Sequence, residues 1–141
     1  MNTEKIEKLN ACNDAVKWLQ KQESYEQAWQ DCKRGDRMLW LLGKKAGPVD
    51  SQSRKDLALC CCDEAELSLP YAGKNKEVCE KTYRAIRDYH AGKLTVEDLR
   101  AAADAAYVAY AGGTAGAAAR KKILNEAADI VRKHYPEPPE I

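Results

Sequence analysis

The segment 29–43 constrains the fold of this chain more than any other, because two tryptophans and a run of large apolar residues flank a glycine there. The run Met38 to Leu42 is apolar on every side of a helical wheel, and such a helix normally has protein packed around it. It is bounded by Arg37 and Lys44 and is far shorter than the about 20 apolar residues that cross a bilayer. We therefore predict a central apolar helix over residues 36–46.

Large apolar residues in and near this helix are expected to anchor the core, since tryptophan and leucine bury much apolar surface. The predicted core anchors are Trp18, Trp29, Leu39, Trp40 and Leu42. A ligand-stacking role for Trp29 and Trp40 is the alternative. Gly35 is expected to let the chain turn before the central helix, and Asp36 to cap the start of that helix.

Apolar residues recur at three- and four-residue spacings along most of the chain, which is typical of amphipathic helices, and no segment alternates as a strand does. The pattern predicts an all-α fold of about six to seven helices. A single compact domain is expected over residues 1–135, with a proline-rich C-terminal tail over residues 136–141. The predicted helices include one over residues 3–21 and others that begin near Ser24, Ser51, Lys76, Thr95 and Thr114.

Composition excludes several classes of protein. The 141 residues suit one domain, and 23 basic against 22 acidic residues give a formal net charge of +1, which argues against a dedicated nucleic-acid-binding protein. The N-terminal ten residues are charged and do not resemble a secretory signal, and no segment is apolar enough to span a membrane. A cytoplasmic protein of a bacterial cell, with reduced cysteines, is the expectation.

The six cysteines do not form a recognisable metal site. Consecutive residues on a helix point about 100 degrees apart, so the three thiols of residues 60–62 cannot jointly hold one ion. Cys32, Cys79 and His90 are the other residues that could join one of them, but paired Cys-x-x-Cys motifs are missing. We expect thiols packed in a helical core, with no metal and no cofactor.

No catalytic motif is evident either. A pairing of Cys79 with His90 would have no nucleophile motif beside it. The carboxylates of residues 63–66 are more typical of a solvated helix face than of a magnesium site. Residues 112–116 contain several glycines but no lysine, so they do not form a phosphate loop. These observations predict that the protein is not an enzyme.

Two sets of residues are candidates for a recognition surface, because tyrosine and arginine are enriched where proteins bind one another. They are Tyr107, Tyr110, Arg120, Lys121 and Lys122. The tyrosines are three positions apart on a predicted helix, so they share a face that is alternatively part of the core. The alanine-rich residues 98–111 suit close helix packing, either within the chain or in a homodimer.

Three motifs of the chain resemble those of a known family. ACNDAVKWL, AWQDCKRGDRMLWLLGKKAG and YRAIRDYHAGKLTVEDLRAAADAAYVAYA are similar to segments of phage and bacterial immunity proteins, akin to the fifth immunity-protein family of polymorphic toxin systems. Where that family has an arginine-proline pair before the equivalent of Ala85, this chain has Tyr83 and Arg84, so only the arginine is kept.

The resemblance implies a small all-α protein that binds and blocks another protein. The target would be a toxin, or a bacterial antiviral defence effector if the chain is phage encoded. The resemblance implies no catalytic residue, and Arg84 is carried over as a candidate partner-binding residue. Asp36 and Arg37 lie within the matched motifs. The alternative function is a small-ligand, nucleotide-like binding module with its pocket near Trp40 and Tyr71.

Overall fold

A computed structural model describes residues 2–48, 51–99, 101 and 117–141 of the chain. The described part is all-α, as predicted, and contains no strand. Two 3₁₀ turns, Leu69–Tyr71 and Gly73–Asn75, precede the helix that begins at Lys76. The helices are α1 (Glu4–Lys8), α2 (Asn13–Leu19), α3 (Tyr25–Asp31), α4 (Gly35–Lys45), α5 (Gln52–Glu66), α6 (Lys76–His90) and α7 (Ala117–His134).

The N-terminal region differs from the prediction of one helix over residues 3–21. Asn10 takes a left-handed backbone conformation with φ of 65°, and Cys12 is extended, so the chain breaks between α1 and α2. Asparagine tolerates this conformation better than most residues. The region therefore forms two short helices, and residues of both line a groove together with residues of α3 and α4.

Serine caps begin two helices where the sequence predicts them. Ser24 Oγ accepts a hydrogen bond from the Gln27 backbone N–H at 3.0 Å, at the start of α3. Ser51 Oγ accepts one from the Arg54 backbone N–H at 3.3 Å, at the start of α5. Each cap satisfies an amide that has no partner within the helix. Both predicted starts are confirmed because a cap depends only on residues three positions apart.

The central helix α4 packs against α7 and α5, and the core lies between them. Cys60 and Val131 have no appreciable exposed surface. Burial raises the pKa of the Cys60 thiol to about 12, so it is protonated and packs as a small apolar side chain. The buried residues of this cluster are Trp29, Cys32, Met38, Leu42, Leu57, Cys60, Ala128 and Val131.

Gly35 is the point of closest approach between α4 and α7. A Cβ atom at Gly35 would lie 2.5 Å from Ala127 Cβ and 2.7 Å from the Ala127 carbonyl carbon, and would also collide with Glu64 Oε1. The glycine is therefore required by packing rather than by the predicted turn. Asp36 does not cap α4: its carboxylate instead pairs with Arg34, the N-cap residue.

A cluster of charges joins α5 to α6 and α7. Arg87 Nη2 donates to Asp63 Oδ1 at 2.6 Å, and Arg87 Nη1 donates to Glu66 Oε1 at 2.5 Å. His134 Nε2 lies 2.8 Å from the other oxygen of Asp63. These carboxylates were expected on a solvated face. They are partly exposed, but they link three helices and so take part in the tertiary structure.

The proline-rich tail over residues 136–141 returns across the N-terminal helices. The indole N–H of Trp29 donates to the carbonyl of Tyr135 at 2.8 Å, and the side-chain amide of Gln30 donates to that of Pro136 at 2.9 Å. Lys5 Nζ donates to Ile141 O at 2.6 Å. The tail is thus held against α1 and α3 and forms one edge of the groove described below.

Candidate functional site

A half-open apolar groove lies between α1, α2, α3, α4 and the tail, and its volume is about 360 Å³. That volume is within the range of pockets that bind small ligands or partner side chains. Aromatic and aliphatic side chains form most of its surface. We call it the tryptophan groove, after a wall that includes Ile6, Trp18, Trp29, Trp40, Leu41 and Pro138.

All three tryptophans of the chain line this groove. Trp29 is buried and belongs to the core cluster, while Trp18 is partly buried and packs against that cluster. Trp40 is partly exposed, and the Lys44 ammonium lies 5.7 Å from the centre of its ring, within the range of a cation–π interaction. Aromatic rings therefore face the groove from three different helices.

The predicted core anchors divide between the core and the groove. Leu42 and Trp29 are buried in the core cluster. Leu39 and Trp18 are partly buried, and both pack against that cluster. Trp40 departs from the expectation, because it lies outside that cluster and forms part of the groove wall. One side of the apolar run Met38 to Leu42 in α4 thus faces an open groove.

The groove has a polar end at the start of α4. Arg34 Nε and Nη2 donate to the two oxygens of Asp36 at 2.8 and 2.6 Å. These bonds lower the pKa of Asp36 and raise the pKa of Arg34, so the pair is fully charged at neutral pH. Arg37 also lines the groove, and its guanidinium has no hydrogen bond or ion pair with any residue that the structure describes.

Cys32 is a groove residue whose chemistry is inert. Burial raises the pKa of its thiol, and its sulfur is 3.6 Å from the carbonyl oxygen of Arg34. Because the thiolate is the reactive form, a protonated buried thiol is a poor nucleophile. The groove is therefore equipped to bind rather than to form a covalent bond through Cys32.

The other candidate recognition residues lie away from the groove. Arg84 is exposed on α6, and residues 120–122 are exposed on α7. Tyr107 and Tyr110, with the rest of residues 102–111 of the alanine-rich segment, fall outside the described residues. Tyr71 is 44% exposed and does not line the groove, so the ligand pocket expected near Trp40 and Tyr71 lies beside Trp40 alone.

In the described part of the chain, no three His, Cys, Asp or Glu side chains are grouped closely enough to hold a metal ion. Cys60 and Cys62 are buried while Cys61 is exposed, as expected for consecutive helix positions. His90 packs edge-on against Tyr89, and burial lowers the pKa of its imidazole. No hydrogen bond joins it to Cys79 among the described contacts.

The sequence did not indicate that Asn10, Cys12, Pro138 and Ile141 belong to this site. Locally, Asn10 and Cys12 mark only the break between α1 and α2, and the prolines near Ile141 mark only an extended tail. Neither signal says where the two ends of the chain meet in space. No family model, curated protein or solved structure compared with the chain matches it. What the groove binds is therefore inferred from its shape and charge.

Proposed function

We propose that this chain is a non-enzymatic binding protein that holds and blocks a protein target, and that the target docks at the tryptophan groove. The observation that carries the proposal is an apolar groove walled by all the tryptophans of the chain and open to solvent on one side. Tryptophan is the residue most enriched among those that dominate binding energy at protein interfaces. Trp18, Trp40 and Leu41 are partly exposed in the groove, and charged groups lie at its edge, an arrangement that suits such an interface.

The class of target comes from the sequence resemblance to immunity proteins. A toxin is the target that the resemblance favours, and a bacterial defence effector is the target if the protein is phage encoded. In both cases the protein acts by occupying a surface that its target needs. The cytoplasm of a bacterial cell is where such a target would be met.

Capture of the target tests this proposal. The tagged chain is incubated with a panel of bacterial toxins and defence effectors, beside Trp40→Ala and Arg84→Gln variants. One dominant partner is expected, and Trp40→Ala should weaken its binding by about 30-fold, the effect of removing an interface hot spot of about 2 kcal/mol. Trp40 lies outside the core cluster, so this variant should fold, which circular dichroism checks.

Two results would count against the proposal in different ways. Recovery of no partner across the panel would contradict the proposed function as a whole. Binding that survives Trp40→Ala and is lost with Arg84→Gln would place the interface on α6, the surface that the sequence suggested, and would remove the groove from the mechanism.

A second candidate function is binding of a small, nucleotide-like ligand, favoured by the volume of the groove, about 360 Å³, and by aromatic rings on three sides. Thermal-shift screening of nucleotides and other aromatic metabolites separates the two functions. A ligand present at 100 times its Kd stabilises the folded state by about 2.7 kcal/mol, whereas a protein blocker gains nothing from such compounds. A stabilising compound whose effect is lost in Trp40→Ala would favour this second function.

A further inference from the structure

We propose that the tryptophan groove recognises an acidic segment of the protein target that presents one large apolar side chain, and that Arg37 receives a carboxylate of that segment. This inference rests on the proposed function, because it names the chemistry of the target's contact. It makes Arg37 a specificity-determining residue.

The size of the groove suits a side chain rather than a whole helix. Its volume is about 360 Å³, and the residues on its walls come from helices of five, seven, seven and eleven residues, so the opening is short. A large aromatic or aliphatic side chain buries its surface well in such a space. Trp18, Trp40 and Leu41, which line the groove and are partly exposed, offer it apolar contact.

The charges at the α4 edge of the groove are unbalanced. Arg37, Trp40 and Lys44 follow one another at three- and four-residue spacings, so they form one stripe along α4. Asp36 is the acidic residue that lines the groove, and both of its oxygens are engaged by Arg34. The positive charge of Arg37 helps to lower the pKa of Asp36, but among the described contacts the Arg37 guanidinium has no hydrogen bond or close ion pair, so it can donate to a carboxylate in a bidentate contact. A group that binds beside Arg37 should therefore carry a negative charge.

A protein segment fits these observations better than a nucleic acid does. Nucleic-acid-binding surfaces carry a marked basic excess to neutralise many phosphates, whereas this chain has a net charge of +1. Arg37 lines the groove and Lys44 lies over the Trp40 ring at its edge, beside an apolar space for a single anchor. That combination matches an aromatic or aliphatic residue flanked by Asp or Glu.

The tryptophans supply the assay, because the three of them line the groove and their fluorescence reports on it. The full chain is titrated with three synthetic peptides that lack tryptophan: Asp-Glu-Phe-Glu-Asp, its neutral form Asn-Gln-Phe-Gln-Asn, and the anchorless Asp-Glu-Ala-Glu-Asp. A saturable change in emission is expected with the first, and binding about tenfold weaker with the other two.

Variants identify the residue responsible. Arg37→Gln should weaken binding of the acidic phenylalanine peptide by about tenfold and leave the affinity for the neutral peptide unchanged. Lys74→Gln removes a positive charge from an exposed position outside the groove and is the matched control, with all three peptides expected to bind as to the wild-type protein. Salt at about 1 M should erase the preference for the acidic peptide.

Several results would overturn the inference. One is the absence of a saturable response to the acidic peptide, and another is equal binding of the acidic and neutral peptides. A third is an Arg37→Gln variant that binds the acidic peptide as wild type does. The fourth is phenylacetate that binds as tightly as the peptide, because the occupant would then be a small molecule. A captured target that binds wild type and Arg37→Gln equally would also overturn it while leaving the proposed function intact. Failure to capture any target would instead contradict the proposed function.

Discussion

Substituting alanine for Gly35 tests the packing of the central helix directly. Gly35 begins α4 where that helix meets α7, and its backbone conformation is one that alanine adopts without strain. Two of the three atoms nearest to the added Cβ belong to Ala127: its Cβ at 2.5 Å and its carbonyl carbon at 2.7 Å. The backbone atom cannot rotate aside, so the two helices must separate.

The size of the effect follows from these contacts. Overpacking of a well-packed core costs about 1–3 kcal/mol, while the higher helix propensity of alanine contributes less than about 1 kcal/mol in the opposite direction. The clash prevails because one of the clashing atoms is in the backbone. We expect Gly35→Ala to lower the free energy of unfolding by about 1–3 kcal/mol and the Tm by about 3–10 °C.

Gly43 provides a matched control within the same helix. A Cβ at Gly43 would meet no atom within 4 Å, so Gly43→Ala should raise the free energy of unfolding by about 0.5–1 kcal/mol through helix propensity alone. Urea unfolding followed by far-UV circular dichroism measures both variants, with unchanged m-values as the check on two-state behaviour. A Gly35→Ala protein as stable as Gly43→Ala would refute the close approach of α4 and α7.

Two further substitutions test local features of the structure. Burial, and then the charge of Asp36, raises the pKa of the Glu64 carboxyl to about 7, so the fold favours its protonated form. Its contribution to stability is therefore present below the unfolded pKa of about 4.5 and is lost as the pH rises through about 7. The Glu64→Gln variant cannot ionise at this position, so its free energy of unfolding relative to wild type should rise by about 1–2 kcal/mol between pH 5 and pH 8, after a discount for partial exposure. Urea unfolding measures this, and a free energy that changes equally with pH in both proteins would contradict it. At Asn10, where φ is 65°, Asn10→Ala should lower the free energy of unfolding by about 1 kcal/mol, whereas Asn10→Gly should leave it equal or higher; a thermal melt that ranks alanine above glycine would exclude the left-handed conformation.

Much of the helical architecture was predictable from the sequence, because its signals act over a few residues. The three- and four-residue spacing of apolar side chains identifies helices, and the hydroxyls of Ser24 and Ser51 cap amides three positions ahead. The prediction of a single N-terminal helix over residues 3–21 was wrong because local signals did not reveal the break within it. The left-handed conformation of Asn10 is only weakly encoded by its neighbours, so the break that separates α1 from α2 was not foreseen.

The groove was decided by the tertiary structure. A helical wheel shows that the run Met38 to Leu42 is apolar on every side. It cannot say that Leu42 meets the core while Trp40 faces a groove, since that depends on where α1, α2 and the tail lie. The pairing of Asp63 with His134 joins residues 71 positions apart in the chain. The sequence by itself determined the helices and their apolar sides; only their packing decided which of those sides was left open to a partner, because burial is a property of contacts between distant segments.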